Sequence, residues 1–243
     1  MTVSTPRPGT AVTRARPIAT YALVAVNVAV FAICFYQAGT GNFYGYVDSP
    51  VFNNSTLTPT DIANHEYWRL LTSGFLHLSI MHIAVNMISL VLLGTIIEPI
   101  LGTARFLLVY LVALFGGSAA VTLLSGTNTA TAGASGAIYG LMGAMLVIVL
   151  KFKAPAGQVI AIIAVNIFIS ISVPGISLVG HLGGLLFGTL ATVAALYLPE
   201  LVMGRQTPTI ELRRRANAAA WLGMFALLAL AIILGVLAPH LRG

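Results

Sequence analysis

The sequence predicts an all-α membrane protein, a bundle of helices that crosses the bilayer several times. Hydrophobic residues make up 58% of the 243 residues and charged residues only 7%, with a mean hydropathy of +0.96. A soluble domain usually carries about 25% charged residues. No segment shows the alternation of apolar and polar residues that marks the strands of a membrane barrel. We therefore predict a polytopic bundle of membrane-spanning helices.

Seven apolar runs are long enough to span, because about 20 helical residues cross roughly 30 Å of hydrocarbon. Six of them form a predicted working core over residues 19–198, preceded by a Pro-, Thr- and Arg-rich tail at 1–18 that we expect to be disordered and cytoplasmic. A basic cytoplasmic linker at 199–218 leads to an appended seventh helix with a short tail, 219–243. The runs are 19–37, 77–97, 104–124, 133–150, 157–173, 180–198 and 219–238.

The basic residues predict the orientation of the bundle. With a cytoplasmic N-terminus, ten of the twelve Lys and Arg residues face inward, and only Arg69 and Arg242 face outward. This distribution agrees with the positive-inside rule and places the C-terminus outside, as in a multi-pass protein of a bacterial plasma membrane. We attribute the net charge of +6 to these short inner loops and their contacts with anionic membrane lipids, and predict no binding to nucleic acid.

Three of the predicted spans carry polar residues at one depth. The second, fourth and sixth spans all run from outside to inside. His82 and Asn86 lie in the first half of the second span, Ser135 near the start of the fourth and His181 at the start of the sixth. Polar side chains are costly to keep in lipid and are functional candidates by default. We therefore treat these four residues as one candidate site.

Small residues explain how Ser135 and His181 could meet. Gly184 and Gly188 share the helix face that begins with His181, and Gly136 starts a similar small stripe beside Ser135. Such small faces let membrane helices approach closely. The alternative is that the glycines serve packing alone and that Ser135 bonds to its own backbone.

The chemistry of the available bases favours a Ser-His dyad. A serine needs a base to become a nucleophile, and histidine is the usual one. Lys151 and Lys153 lie at the other end of the fourth span, about 24 Å from Ser135 at 1.5 Å per residue. No Asp or Glu lies in the outer half of any predicted span, so no acid can complete a triad with His181 there.

His82 and Asn86 admit two interpretations. One turn apart on a helix, they could donate hydrogen bonds to an oxyanion together with the backbone N–H of Ser135. The rival is a metal site with His77, which lies about 140° round the helix from His82 and brings no third acidic or thiol ligand. The sequence also lacks an HExxH motif and a pair of intramembrane aspartates. We predict no metal and no cofactor, and a structural role for His77.

Four motifs occur in order between residues 65 and 198. They are Trp68-Arg69, the His-xxx-Asn pattern of His82 and Asn86, Gly133-Ala134-Ser135-Gly136 with Tyr139, and Gly180-His181-xx-Gly184-xxx-Gly188. Together they resemble the rhomboid intramembrane serine proteases. One departure is Gly180, where many members of that family have alanine.

The resemblance implies roles for particular residues. Ser135 would be the nucleophile, His181 the general base, and His82 and Asn86 the side chains of the oxyanion hole. The ring of Tyr139 would stack beside His181. The supporting glycines would be Gly133, Gly136 and Gly184.

The function that this resemblance implies is cleavage of single-span transmembrane proteins near the outer face of the membrane. Water would reach the site through a polar cavity open to the outside. Two alternatives stay open at this point. A catalytically inactive relative would bind or escort membrane proteins, and a small-molecule transporter would carry polar residues near mid-membrane in repeated halves.

Overall fold

The structure is a computed structural model that describes residues 16–39, 45–205, 207 and 209–241. Among these residues the regular structure is helical, apart from one isolated antiparallel bridge between Leu57 and Thr131. The predicted all-α fold is therefore confirmed. Of the tail predicted at 1–18, residues 1–15 lie outside the described part of the chain.

The described part of the chain contains seven long α-helices, three short ones and two 3₁₀ helices at Gly45–Asp48 and Ser73–Phe75. The α-helices are α1 (Ile18–Gln37), α2 (Pro50–Asn53), α3 (Pro59–Ala63), α4 (Arg69–Thr72), α5 (Ile80–Leu101), α6 (Thr103–Leu124), α7 (Ser135–Lys151), α8 (Gly157–Ser172), α9 (Leu178–Met203) and α10 (Ile210–Leu241). Within this part, α1, α5, α6, α9 and α10 are long and apolar enough to cross a membrane, whereas α7 and α8 are apolar helices of 17 and 16 residues. The protein is an integral membrane protein with several spans.

The start of α5 differs from the prediction, which placed it at residue 77. The Oγ of Ser79 accepts a hydrogen bond from the backbone N–H of His82 at 2.9 Å, so Ser79 caps the helix and α5 begins at Ile80. His77 therefore lies in the loop before α5. This changes its relation to His82, because the two residues no longer share a helix.

The predicted linker at 199–218 is helical at both of its ends. Helix α9 continues through Pro199 to Met203 and stops at Gly204, whose φ of +53° favours glycine. Helix α10 already begins at Ile210. Hydropathy marks where a helix crosses the membrane, whereas the helix itself can continue into water.

Helix α6 occupies the centre of the bundle, and α7, α9 and α10 pack around it. The seventh long helix, α10, is held by small and flexible residues that are fully buried, Ala220, Met224, Ala231 and Ala238. A Cβ at Gly235 of α10 would touch the side chain of Leu70 in the loop between α1 and α5. The helix that the sequence suggested to be appended is thus packed into the bundle.

The loop between α1 and α5 is folded around one arginine. Arg69 is only 7% exposed, and its guanidinium donates to the carboxylate of Glu66 at 2.6 Å and to the carbonyls of Asn53 and Thr56 at 2.7 Å each. A buried charge of this kind is stable only when its donors are satisfied. The indole N–H of Trp68 adds a bond to the carbonyl of Asn54 at 3.0 Å, so the Trp68-Arg69 motif stabilises the loop.

A buried carboxylate joins three helices at the opposite end of the bundle. Glu98 of α5 is fully buried and accepts hydrogen bonds from the backbone N–H groups of Ala19 and Thr20 and from the hydroxyls of Thr20 and Thr103. These bonds connect the beginnings of α1 and α6 to the end of α5. They offset the cost of burying the carboxylate.

Candidate active site

Ser135 and His181 meet at the beginnings of two helices. Ser135 is the first residue of α7, and His181 lies in the first turn of α9, which Ser177 caps by accepting from the N–H of Gly180 at 3.1 Å. The Oγ of Ser135 lies 2.7 Å from Nε2 of His181, although the two residues are 46 positions apart. The structure therefore brings the predicted nucleophile and base into hydrogen-bond contact.

Glycines allow this contact by letting the backbones of α7 and α9 touch. A Cβ at Gly184 would collide with the carbonyl oxygen of Gly136, and a Cβ at Gly188 would collide with the Cα of Gly140. His181 is 7% exposed, and Ser135 is partly buried. The small faces described from the sequence thus pack against each other. They do not point toward lipid.

A third helix reaches the imidazole through a residue that the sequence analysis did not single out. The Oγ of Ser170, near the end of α8, lies 2.8 Å from Nδ1 of His181 and 2.7 Å from the hydroxyl of Tyr139. The Tyr139 ring stacks on the His181 ring, with the centroids 4.0 Å apart and the planes 15° apart. The signal available in the sequence was a polar pair one turn apart in an apolar span, Asn166 and Ser170.

His82 presents one ring nitrogen to the Ser135 side of the site. The backbone N–H of Leu78 donates to Nδ1 of His82 at 3.2 Å, so the neutral ring carries its proton on Nε2. A Cβ placed on Gly133 would lie 3.0 Å from that Nε2 and 3.5 Å from Oγ of Ser135. Both groups therefore face the same small space. Only glycine leaves this space open, and the φ of +139° at Gly133 also favours glycine.

Asn86 lies one turn below His82 and is 5% exposed. Its Nδ2 donates to the carbonyl of His82 at 2.8 Å, which fixes the amide against its own helix. Asn86 lines the same cavity as His82 and Ser135. Within the described part of the chain, its side-chain hydrogen bond goes to His82 and not to Ser135. A molecule bound in the cavity could contact both Asn86 and Ser135.

A cavity of about 690 Å³ joins these groups. Its walls include the beginning of α5, the end of α8 and the loop before α7. Its polar lining includes Ser135, His181, His82, Asn86, Asn166 and Ser170. Since water occupies about 30 Å³ per molecule in the liquid, the cavity has room for a short extended peptide with water. Hydrolysis chemistry is therefore sterically possible at Ser135.

His77 stands behind His82. It is 1% exposed, and its ring meets the His82 ring edge to face with centroids 5.1 Å apart. Burial, and secondarily the charge on His82, lower the pKa of His77 to about 3, so its ring is neutral near pH 7. Among the described residues no group of three His, Cys, Asp or Glu side chains is placed to hold a metal ion.

Comparison with known proteins places this geometry in a family context. The family model described as the Rhomboid domain matches residues 64–198. The chain is 37% identical over 190 residues to the rhomboid protease GluP of Bacillus subtilis (strain 168), covering 76% of this chain and 36% of GluP. It is 32% identical over 210 residues to RHOMBOID-like protein 1 of Arabidopsis thaliana, covering 74% and 53%.

An inactive relative is also similar to the chain. The Inactive RHOMBOID-like protein 8 of Arabidopsis thaliana is 33% identical over 153 residues, covering 60% of this chain and 42% of that protein. The chain spans between about a third and a half of the length of these three relatives. Similarity in sequence therefore does not by itself separate active from inactive members.

Proposed function

The chain belongs to the rhomboid family, and on that premise we propose that it is an intramembrane serine endopeptidase that cleaves single-span transmembrane proteins near the outer face of the membrane. The observation that carries this proposal is the 2.7 Å contact between Oγ of Ser135 and Nε2 of His181 beside a cavity of peptide size. A hydroxyl that only served helix packing would bond to its own backbone and would need no imidazole partner.

The reaction follows from the roles that this pair can take. Oγ of Ser135 attacks the carbonyl carbon of the scissile peptide bond while Nε2 of His181 takes the hydroxyl proton. His181 then gives that proton to the departing amine, and the C–N bond breaks to leave an acyl group on Ser135. A water molecule loses a proton to His181 and attacks the ester carbon. The bond to Oγ of Ser135 then breaks, His181 returns the proton to that oxygen, and the new carboxyl end is released.

The negative charge on the attacked oxygen needs donors, and three groups near Ser135 can supply them. The backbone N–H of Ser135 is among the first four of α7, which have no partner inside the helix. The Nε2–H of His82 faces the same space, and the amide of Asn86 lies one turn further along the cavity. Donors preorganised in this way stabilise the transition state more than the ground state.

The substrate has to arrive with its backbone extended. Peptide bonds inside a helix have their carbonyls engaged in hydrogen bonds and are shielded, so a transmembrane segment must unwind before Ser135 can reach it. Small or helix-breaking residues near the end of the substrate helix would permit this. We extend the proposal to the orientation predicted from the arginines and lysines, with the N-terminus in the cytoplasm of a bacterium and the site toward the outside.

Labelling and cleavage assays test the proposal together. The purified protein is treated with a fluorescent serine-reactive phosphonate and, separately, mixed in liposomes with a model single-span substrate. We expect labelling and cleavage in the wild type, and both to be lost in Ser135→Ala. His181→Ala should lower turnover by on the order of 10⁴-fold or more, because a triad or dyad member acts as part of a unit.

The matched control is Ser172→Ala, the same substitution at an exposed serine on α8. It should label and cleave like the wild type. Cleavage at the wild-type rate by Ser135→Ala would show that another group is the nucleophile.

A second function follows if the folded wild type neither labels nor cleaves. The similarity to an inactive relative then favours a protein that binds or escorts membrane proteins. Co-purification of an uncleaved single-span protein with the wild type would support that function.

A further inference from the structure

The hydroxyl of Ser170 is in contact with three polar groups, and its hydrogen atoms can be assigned. It donates to the carbonyl of Asn166 one turn earlier in α8, at 2.8 Å. A carbonyl can only accept, and a hydroxyl has only one hydrogen to give. The two remaining contacts of Ser170, to Tyr139 and to His181, must therefore be bonds that Ser170 accepts.

The consequence reaches across His181 to Ser135. Since Nδ1 of His181 donates to Ser170 at 2.8 Å, the neutral ring carries its proton on Nδ1 and leaves a lone pair on Nε2. That lone pair faces Oγ of Ser135 at 2.7 Å. The opposite tautomer, with hydrogen on Nε2, would be unable to take the serine proton.

We propose that Ser170 is a positioning residue, which holds His181 in the tautomer and ring orientation that a general base for Ser135 requires. The inference rests on the proposed function, because it matters for catalysis only if His181 acts as a base. Ser170 lies beyond Nδ1, on the side of the imidazole away from Ser135. When His181 takes the proton of Ser135, its Nδ1–H bond to Ser170 becomes charge-assisted and so strengthens as the reaction proceeds.

The placement of Ser170 in α8 supports this role. Among the residues of α8, all of which the structure describes, Ile163 and Ser170 are the buried ones, and Ser170 is 5% exposed. A serine that merely bonded to its own helix could stay at the surface, as the exposed Ser172 does. A serine hydroxyl can donate one hydrogen bond and accept two. With its bonds to Asn166, His181 and Tyr139, Ser170 therefore makes all the hydrogen bonds that it can.

Nitrogen NMR of the wild type tests the tautomer directly. The protein is labelled with ¹⁵N at histidine, and the His181 signals are identified by their loss in His181→Ala. We expect a protonated Nδ1 and an unprotonated Nε2 in the resting wild type. A protonated Nε2 with a bare Nδ1 would overturn the proposal. This measurement needs no turnover, so it determines the tautomer of His181 even if the protein proves to be no protease.

Kinetics of Ser170 variants test the consequence for turnover. Ser170→Ala should lower kcat about tenfold, the size expected from losing one hydrogen bond, with KM unchanged. Ser170→Thr keeps the hydroxyl and should retain most of the wild-type kcat, whereas Ser170→Cys keeps the size with a weak acceptor and should resemble Ser170→Ala. Ser172→Ala is the control on the same helix.

The outcomes separate the two proposals. One outcome is that Ser135→Ala inactivates the enzyme while a folded Ser170→Ala keeps the wild-type kcat. That result would reject the positioning role and leave the proposed function standing. Loss of the wild-type tautomer signature in Ser170→Ala, measured at unchanged thermal stability, would support the role. If Ser170→Ala does not fold, the wild-type spectrum and the comparison of Ser170→Thr with Ser170→Cys decide the question.

Discussion

Helices α7 and α9 touch each other backbone to backbone, whereas α8 reaches the same site through a few side chains. Gly136 and Gly140 of α7 leave no room for a Cβ on Gly184 or Gly188 of α9. In α8, by contrast, large side chains such as Phe168 point outward, with 68% of its surface exposed. Ser135 and His181 are therefore held together by a rigid contact, whereas Nδ1 of His181 is held by one hydroxyl on a lightly packed helix.

This difference shows that a site can be ordered in two ways, by fixing the distance between helices and by fixing the position of a proton. A glycine contact admits a single distance between two helices, because neither backbone can yield without breaking its hydrogen bonds. A hydrogen bond from a loosely packed helix fixes a proton instead of a distance. Changes in the first should affect both folding and chemistry, and changes in the second should affect chemistry with little effect on folding.

The largest effect within the site, after loss of the dyad, is expected from α5. His82→Ala should lower kcat by about 10² to 10³, the usual result of losing one oxyanion donor, and Asn86→Ala by the same or less. Both variants should still label at Ser135, since neither touches the dyad. Turnover of both variants at the wild-type rate would mean that the oxyanion is stabilised by backbone groups alone.

Widening the contact between α7 and α9 should come next. Gly184→Val would drive a side chain into the carbonyl of Gly136, and a shift of about 1 Å in a catalytic pair can lower the rate about 10²-fold. Overpacking of this kind also lowers the free energy of unfolding by about 1–3 kcal/mol. The measurements are phosphonate labelling and the thermal transition.

The control for that substitution is Gly157→Val at the beginning of α8, where a Cβ would meet open space. It should leave labelling and the melting temperature unchanged. Full labelling of Gly184→Val at unchanged stability would show that this contact does not set the distance between Ser135 and His181.

A smaller effect should follow from removing the hydroxyl of Tyr139. Tyr139→Phe keeps the ring stacked on His181 but deletes one of the two bonds that Ser170 accepts. The bond from Nδ1 of His181 remains, so we expect kcat to fall by only about two- to fivefold, less than one full hydrogen bond corresponds to. A loss as large as that of Ser170→Ala would indicate that the hydroxyl of Tyr139 is as important as Ser170 for orienting the imidazole.

No effect at all is expected from chelators. EDTA or phenanthroline should leave cleavage unchanged, because the proposed reaction requires only protein groups and water. Inhibition by either chelator, reversed by added zinc, would revive the metal interpretation of His77 and His82. Direct inhibition of the enzyme by the chelator, without removal of a metal, is checked by assaying with the chelator already saturated with zinc.

The sequence determined the class of the protein and most of its helices. A segment must be apolar over about 20 residues to cross a bilayer, so hydropathy locates the spans even without knowledge of their neighbours. The meeting of Ser135 and His181 was also predictable, because polar groups in such segments are rare and costly, and because their motifs occur in the order typical of rhomboids. Their catalytic roles stay a prediction. Hydropathy and short motifs can both be recognised from a few neighbouring residues, without knowledge of the folded structure.

Helix boundaries and the contact of Ser170 with His181 came only from the tertiary structure. Apolarity marks the membrane-crossing part of a helix, so it missed that α9 continues past Pro199 and Glu200 to Met203. It also missed that α10 starts at Ile210, before a run of arginines that precedes the apolar stretch. Ser170 resembles any serine that bonds to its own helix. Only the folding back of α9 against α8 places His181 beside its oxygen, and a contact between two helices leaves no periodic trace in either one.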